Sequence, residues 1–205
     1  MPSLTNRKRR LAGFRSVGES YVNLDLRSAL AFGSSWSKGK MVNCRLDGAS
    51  FRQATFEDFT FENCTGLLVD FSIGKWTNVG AKFCGFTQSA FGGTVFRDVA
   101  FDQCELDYSV FADAMGQNLK MDGCSCHGAD LRFQDMTGFD PRGSNLWSAH
   151  VQLGCQFFQG SFDERQARLF LAMVARRYPD ADIASRLKEL CGKEYDVVER
   201  LMRES

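Results

Sequence analysis

Residues 44–64 of the chain read CRLDGASFRQATFEDFTFENC, with a cysteine at each end. Cysteines recur at this spacing of twenty residues, at Cys44, Cys64, Cys84, Cys104 and Cys124. A fixed period over so long a stretch indicates one structural unit that is repeated. The cysteines therefore predict a repeat architecture whose unit is twenty residues long.

A shorter period of five residues lies within each unit. Large apolar residues recur at every fifth position, and a second column of mostly small residues stands two positions before the first. The large column includes Phe51, Phe71, Phe91 and Phe111, and the small column includes the five cysteines. Helices repeat about every 3.6 residues and strands about every two, so neither alone produces this pattern. We expect both columns to point inward.

Residues 49–53 (ASFRQ), 104–108 (CELDY) and 129–133 (ADLRF) show the five-residue pattern clearly. They resemble the pentapeptide-repeat family, whose consensus is a small residue, a polar residue, Leu or Phe, and two polar residues. The resemblance implies an all-β core formed by a right-handed quadrilateral parallel β-helix, with four pentapeptides in each coil. Stacked coils lie about 4.8 Å apart, so the cysteines form one interior ladder and the four Phe residues another.

The repeat pattern divides the chain into a basic N-terminal tail or cap (1–23), the β-helix (24–162) and a small α-helical C-terminal segment (163–205). The run RKRR at residues 7–10 is either a solvated tail or a contact for nucleic acid or a targeting receptor. The last segment has apolar residues at helical spacing, which either cap the end of the β-helix or form a dimer interface. These residues are Phe170, Leu171, Val174, Leu187, Leu190 and Leu201.

Two departures from the columns and one polar column suggest local structural roles. Phe59 and Leu119 occupy positions that are otherwise small, and we expect them to fill the space left by Gly66 and Gly116. A further set of Asp and Asn residues recurs at twenty-residue intervals next to the predicted corners, where both residue types favour turns. This set is Asp58, Asn78, Asp98 and Asn118.

The sequence shows little sign of catalytic or metal chemistry. Cys124 and Cys126 fall in the two inward columns and His127 falls outside them, so the three side chains are not expected to converge on a metal. There is no phosphate-binding loop, nucleophile elbow or zinc-protease motif. We therefore expect a protein that is not an enzyme and that holds no metal and no cofactor, with the cysteines serving as packing residues.

Charge is distributed unevenly along a chain of zero formal net charge. Residues 1–42 have eight Lys and Arg against two acids, a net charge of +6, and residues 43–155 have eight against fourteen, a net charge of −6. The outward acids of the repeats form a candidate acidic binding surface. Its members are Asp47, Glu62, Asp102, Asp107 and Asp122.

These features favour a protein-interaction scaffold built on a rigid repeat rod. The resemblance also implies two alternatives: a DNA mimic that binds DNA gyrase or topoisomerase IV and modulates quinolone action, and a secreted bacterial effector that binds a host protein. The expected partner is a protein, with no direct nucleic-acid or membrane binding and with a homodimer through the C-terminal helices as one arrangement. Unpaired cysteines and the lack of a signal peptide favour the cytoplasm, unless the chain is a secreted effector.

Overall fold

The computed structural model describes residues 10–141, 143–146 and 149–151, and these residues contain eleven strands and no helix. The strands are β1 (Arg15–Val17), β2 (Ser20–Val22), β3 (Ser35–Ser37), β4 (Lys40–Val42), β5 (Thr55–Glu62), β6 (Lys75–Lys82), β7 (Val95–Asp102), β8 (Met115–Asp122), β9 (Asp130–Leu131), β10 (Asp135–Thr137) and β11 (His150–Val151). No helix that could cross a membrane occurs in this part of the chain.

All strand pairs are parallel, and paired residues are twenty positions apart. Thr55 pairs with Lys75, Lys75 with Val95, and Val95 with Met115. Isolated bridges continue the same register outside the strands, as between Ser50 and Asp70. One coil of twenty residues therefore stacks directly on the next, and the fold is a parallel β-solenoid, as the cysteine spacing predicts.

The two inward columns of the sequence form the core. Every member of the large column from Met41 to Phe111 is buried, and so is every member of the small column from Cys44 to Ala129. The predicted phenylalanine ladder is present, with parallel ring planes. Ring centroids lie 5.4 Å apart between Phe51 and Phe71, 5.2 Å between Phe71 and Phe91, and 4.6 Å between Phe91 and Phe111. The spacing of a β-stack thus places like residues in contact.

A residue with positive φ stands at every fifth position from Gly13 to Gly128 without interruption. Asp58, Asn78, Asp98 and Asn118 occupy such positions, with φ between 50° and 56°. The amide of Asn78 donates to the carboxylate of Asp58 at 2.8 Å, and that of Asn118 to Asp98 at 2.7 Å. Their predicted turn role is confirmed, since Asn and Asp tolerate the left-handed conformation.

The solenoid begins earlier than the sequence pattern indicates. Residues 1–23 were expected to form a tail or cap, but β1 pairs with β3 and β2 pairs with β4, so residues 10–23 already belong to the stack. The pattern is weak here because polar groups occupy the inward positions, where Ser16 Oγ lies 2.8 Å from the hydroxyl of Tyr21. Residues 24–33 form part of a regular coil, with Leu26, Ala29 and Ala31 buried.

Candidate protein-binding surface

The five stacked cysteines are packing residues held between backbone carbonyls. Each is buried and unpaired. The thiol of Cys104 donates to the carbonyl oxygens of Ala81 (3.3 Å) and Asp102 (3.4 Å), and Cys64 makes the equivalent contacts with Met41 and Glu62. Hydrogen bonding to the neighbouring thiols together with burial raises the pKa of Cys84. At Cys84 this environment suppresses the thiolate, which is the reactive form of cysteine.

We predict that the native protein protects its ladder from thiol reagents. Of the eight cysteines, six lie buried in the described residues, and the other two, Cys155 and Cys191, lie outside them. Titration with Ellman's reagent at pH 8 should detect at most two reactive thiols in the native protein and all eight in denaturant. Rapid reaction of more than two thiols in the native state would contradict a packed interior.

The cluster Cys124, Cys126 and His127 does not converge on a common point. The two cysteines are buried and His127 is only partly so, in line with their places in the sequence pattern. Burial raises the pKa of Cys126 to about 12, with a further contribution from the charge of Asp107. Among the residues that the structure describes, no group of three or more Cys, His, Asp or Glu side chains is placed to hold a metal ion.

Two members of the candidate acidic surface bind the backbone of the following coil. Asp47 Oδ1 accepts a hydrogen bond from the backbone N–H of Leu67 at 3.0 Å. Asp107 Oδ1 accepts from the backbone N–H of His127 at 2.9 Å and from Ser125 Oγ at 2.6 Å. Both carboxylates are half-buried, so they join one coil to the next as well as carrying charge.

The other three acids share a different column and are interrupted by a lysine. Glu62, Asp102 and Asp122 stand at equivalent positions of β5, β7 and β8, and Lys82 occupies the same position of β6. Lys82 Nζ lies 3.9 Å from Asp102 Oδ2. The structure therefore brings the five predicted acids into two separate columns and not into one continuous field. The six predicted cap or dimer residues, from Phe170 to Leu201, lie outside the described residues.

We predict that Asp107 contributes to stability through its bonds to the next coil. Asp107→Ala should lower the free energy of unfolding by about 2 kcal/mol, because two partly buried donors of the next coil lose a charged acceptor. Asp107→Asn retains an acceptor oxygen and should cost less than half as much. Glu105→Ala, a change at an exposed neighbour, should fall within about 0.5 kcal/mol of wild type. Urea denaturation followed by tryptophan fluorescence measures all three, and equal losses for Ala and Asn would refute the bonding role.

A second surface feature, which the sequence reasoning did not identify, is a set of exposed large apolar side chains. Six of them lie on short segments that stack at twenty-residue intervals, and we call this set the apolar wall. Its members are Leu30, Phe32, Leu68, Ile73, Tyr108 and Val110, each between 41% and 58% exposed. The available signal was the presence of Leu, Ile, Phe and Tyr at outward positions that the repeat usually gives to polar residues.

Three residues of the wall adopt a backbone conformation that disfavours them. Leu68, Ile73 and Tyr108 have φ of 58°, 57° and 56°, in the left-handed region where Gly, Asn and Asp are preferred. Such a conformation costs a bulky residue about 1–3 kcal/mol. Since these side chains are also half exposed, packing within the chain recovers little of that cost.

Charged side chains on and beside the apolar wall are few, and most of them bond to neighbouring groups of the chain. Asp130 forms an ion pair with Arg132, and this guanidinium lowers the pKa of the Asp130 carboxyl. Asp70 accepts hydrogen bonds from the backbone N–H and hydroxyl of Ser72. Arg52 extends along the stack and donates to Ser72 Oγ at 2.8 Å. Between residues 83 and 96 the sequence contains no charged residue at all.

Comparison with known proteins yields likeness of fold and no close relative in sequence. No family model and no curated protein sequence matches the chain. QnrB1, described as a plasmid-mediated fluoroquinolone resistance protein, is 16% identical with a TM-score of 0.54, and the match covers 82% of this chain and 93% of QnrB1. HetL, a pentapeptide repeat protein involved in heterocyst differentiation regulation in the cyanobacterium Nostoc sp., is 11% identical with a TM-score of 0.21, over 76% and 94% of the two chains.

Rfr23, a pentapeptide repeat protein of the cyanobacterium Cyanothece, is 10% identical with a TM-score of 0.18, over 69% of this chain and 89% of that one. Of these structures, only QnrB1 is similar enough in shape to support an argument, and it speaks to the fold alone. The twenty-residue coil, its two buried columns and the likeness to QnrB1 together show that the chain has the fold of the pentapeptide-repeat proteins.

Proposed function

We propose that the protein is a non-catalytic scaffold that binds another protein through the apolar wall. The observation that carries this proposal is the exposure of six large apolar side chains on stacked, hydrogen-bonded segments. Groups of large apolar side chains exposed on a protein surface commonly mark interaction sites. A wall built on a rigid stack is ordered before binding, so association costs it little conformational entropy.

The backbone conformation of the wall strengthens this interpretation. Leu68, Ile73 and Tyr108 adopt a strained conformation that asparagine or glycine would relieve. Strain that brings no packing gain within the chain is typical of residues retained for a function. Binding a partner would bury these side chains and so provide the gain that the free chain lacks.

The test uses variants that are more stable than the wild type and yet lose binding. We expect Leu68→Asn with Ile73→Asn to raise the free energy of unfolding by about 1–2 kcal/mol, because asparagine tolerates φ near +57°. Phe83→Asn is the matched control, since Phe83 is also exposed and left-handed but lies outside the wall. Denaturant unfolding measures stability, and quantitative affinity capture from a lysate of the source cell measures binding.

The proposal requires that proteins captured by the wild type and by the Phe83 variant are lost from the wall variant. If all three chains capture the same proteins in the same amounts, the wall is not a binding site. Because the wall variant is expected to be more stable than the wild type, unfolding cannot account for its loss of binding.

A second candidate is binding to DNA gyrase or topoisomerase IV as a DNA mimic. It is favoured by the net charge of −6 over residues 43–155 and by the fold shared with a fluoroquinolone resistance protein. Lys82 interrupts the acidic column, however, and weakens any continuous field. A mimic should inhibit gyrase supercoiling or relieve quinolone inhibition at micromolar concentrations, and an absence of both effects would reject this candidate.

We also propose a cross-section and handedness for the solenoid, a role for the C-terminal segment, and a location for the protein. Four left-handed residues per coil, such as Gln53, Asp58, Asn63 and Leu68, support a four-sided cross-section. The resemblance to the pentapeptide-repeat family implies a right-handed solenoid. We further propose that the C-terminal segment is helical and that it caps the solenoid or forms a dimer interface. We propose a cytoplasmic location, with secretion as an effector as the alternative.

A further inference from the structure

The apolar wall is built from equivalent short segments that lie directly above one another. Parallel bridges join Leu30 to Ser50, Ser50 to Asp70, Asp70 to Ala90 and Ala90 to Val110. Neighbouring segments are therefore separated by one strand spacing of about 4.8 Å. We refer to the segments as rows. They are residues 28–33, 48–53, 68–73, 88–93 and 108–113.

Bulky and small rows alternate along the wall. The first, third and fifth rows carry the six large side chains, and the second and fourth rows carry smaller residues at most of the same positions. The fourth row is the clearest, with Ala90, Gly92 and Gly93. The wall thus consists of ridges about 10 Å apart, which is twice the strand spacing, with troughs of the same period between them.

This alternation makes the wall complementary to itself. Consider a twofold axis that lies in the plane of the wall, parallel to the rows and perpendicular to the direction of stacking. It passes between rows 68–73 and 88–93. Rotation about it places the ridge 68–73 of one copy on the trough 88–93 of the other. The ridge 108–113 then meets the trough 48–53. Ile73 comes to lie over Gly93 and Tyr108 over Gly48, so these two large side chains meet residues that have none, while Leu68 comes to lie over Gln88.

The charges of the wall match under the same rotation. Arg52, on row 48–53, comes to lie opposite row 108–113 of the other copy, which carries the exposed carboxylate of Asp113. The guanidinium of Arg52 donates one bond to Ser72 within its own chain and has further N–H groups for a carboxylate. A formal net charge of zero also means that two copies do not repel each other at long range.

We propose that the apolar wall packs against the wall of a second copy of this chain, in an antiparallel twofold dimer. The inference rests on the proposed binding role of the wall and names its occupant. In a twofold interface the same patch faces itself, so ridges must meet troughs and cations must meet anions. The pairs Ile73–Gly93 and Tyr108–Gly48 and the placement of Arg52 near Asp113 meet these conditions in the centre of the wall, and row 28–33 falls on residues 128–133, whose charges Asp130 and Arg132 are already paired.

A photo-crosslinker in the trough tests this arrangement with the full-length chain. We would place p-benzoylphenylalanine at Gln88, an exposed position on the fourth row with the same left-handed backbone as Tyr108. Irradiation of a mixture of unlabelled and isotopically heavy protein should give a crosslinked dimer. Mass spectrometry should locate the crosslink on residues 68–73 of the other copy. The same crosslinker at Thr77, an exposed residue of β6 outside the wall, should give no such product.

Charge exchange provides an independent test of the register. Asp113→Arg should weaken dimerisation about tenfold in analytical ultracentrifugation, because it places two cations opposite each other. Combining it with Arg52→Asp should restore the dissociation constant to within about threefold of the wild type. If the double variant is as weak as the single variant, the proposed register is wrong.

The outcomes separate this inference from the proposed function. A monomeric chain whose Leu68→Asn, Ile73→Asn variant still loses a captured partner would overturn the dimer and leave the binding role intact. Crosslinks from Gln88 to residues 163–205 alone would also overturn it, in favour of contact with the C-terminal segment. No crosslink together with unchanged capture would overturn both proposals.

Discussion

Gly116→Ala is expected to lower the free energy of unfolding by about 4 kcal/mol or more. Gly116 has φ of 141°, a region that only glycine occupies readily, and a Cβ added there would lie 1.8 Å from the carbonyl oxygen of Phe96. Phe96 belongs to the preceding coil, and its backbone pairs with that of Gly116. Neither the backbone strain nor the clash with a backbone atom can be relieved by turning a side chain.

Gly80→Ala is the matched control, because Gly80 lies in β6, which is equivalent to β8 and two coils before it. Its added Cβ meets no atom within 4 Å, and its φ is not in the left-handed region. Alanine there should leave stability unchanged or raise it by up to about 1 kcal/mol, since glycine is costly within a strand. Urea denaturation of the two variants measures the difference. Similar stability for both would show that the backbone at position 116 is not constrained as described.

The second large effect is expected from the phenylalanine ladder. Phe91 is fully buried and stacks on Phe111 at 4.6 Å and on Phe71 at 5.2 Å. Phe91→Ala should cost about 3–5 kcal/mol, because it removes buried apolar surface and leaves a cavity between two coils that cannot close up independently. Phe91→Leu should cost much less, about 1.5 kcal/mol, because it retains most of the volume.

Phe83→Ala tests whether the stability lost at position 91 comes from the burial of Phe91 or would follow the loss of any phenylalanine. Phe83 lies on the same coil as Phe91 but is 52% exposed and left-handed, so its removal should cost less than about 0.5 kcal/mol. Thermal unfolding followed by circular dichroism compares the variants. A loss at position 83 as large as that at position 91 would contradict the assignment of inner and outer columns.

The inner columns were the part of the fold most accessible from the sequence. Burial in a stack of twenty-residue coils imposes the same requirement at every fifth position, so each coil repeats the signal. The start of the solenoid gave no such signal, because Ser16 and Tyr21 satisfy each other by a hydrogen bond inside the first coil. Polar pairing and apolar packing fill the same space but leave different sequence patterns.

Compensation between columns was harder to predict. Phe59 was expected to fill the space left by Gly66, but a Cβ on Gly66 would lie 2.6 Å from Cγ2 of Val69 and 3.1 Å from the ring of Phe86. Those two residues therefore lie closest to the position that a side chain at residue 66 would begin to occupy. A Cβ on Gly116 would instead meet the backbone of Phe96 in the preceding coil. Such exchanges depend on side-chain direction across coils, which spacing along the chain does not specify.

The candidate functional residues, like the core, could be predicted only in part from the sequence. Asp47 and Asp107 were selected for their charge, but their carboxylates bind the backbone of the next coil. The wall was overlooked because Leu30, Leu68 and Tyr108 are far apart in the sequence and become neighbours only through stacking. Equivalence by twenty residues, applied to the outward positions as well as the inward ones, would have revealed the alternation of bulky and small rows.

The uniform register of the coils also bears on how such a chain can change its length in evolution. Because paired residues are always twenty apart, gain or loss of a whole coil would leave every inward column aligned, whereas a change of one residue would turn outward side chains into the core. A deletion of one coil within the wall would, however, exchange ridges for troughs on one side of the cut. Inheritance of length in steps of a single coil would thus preserve the fold while altering the surface that two such molecules present to each other.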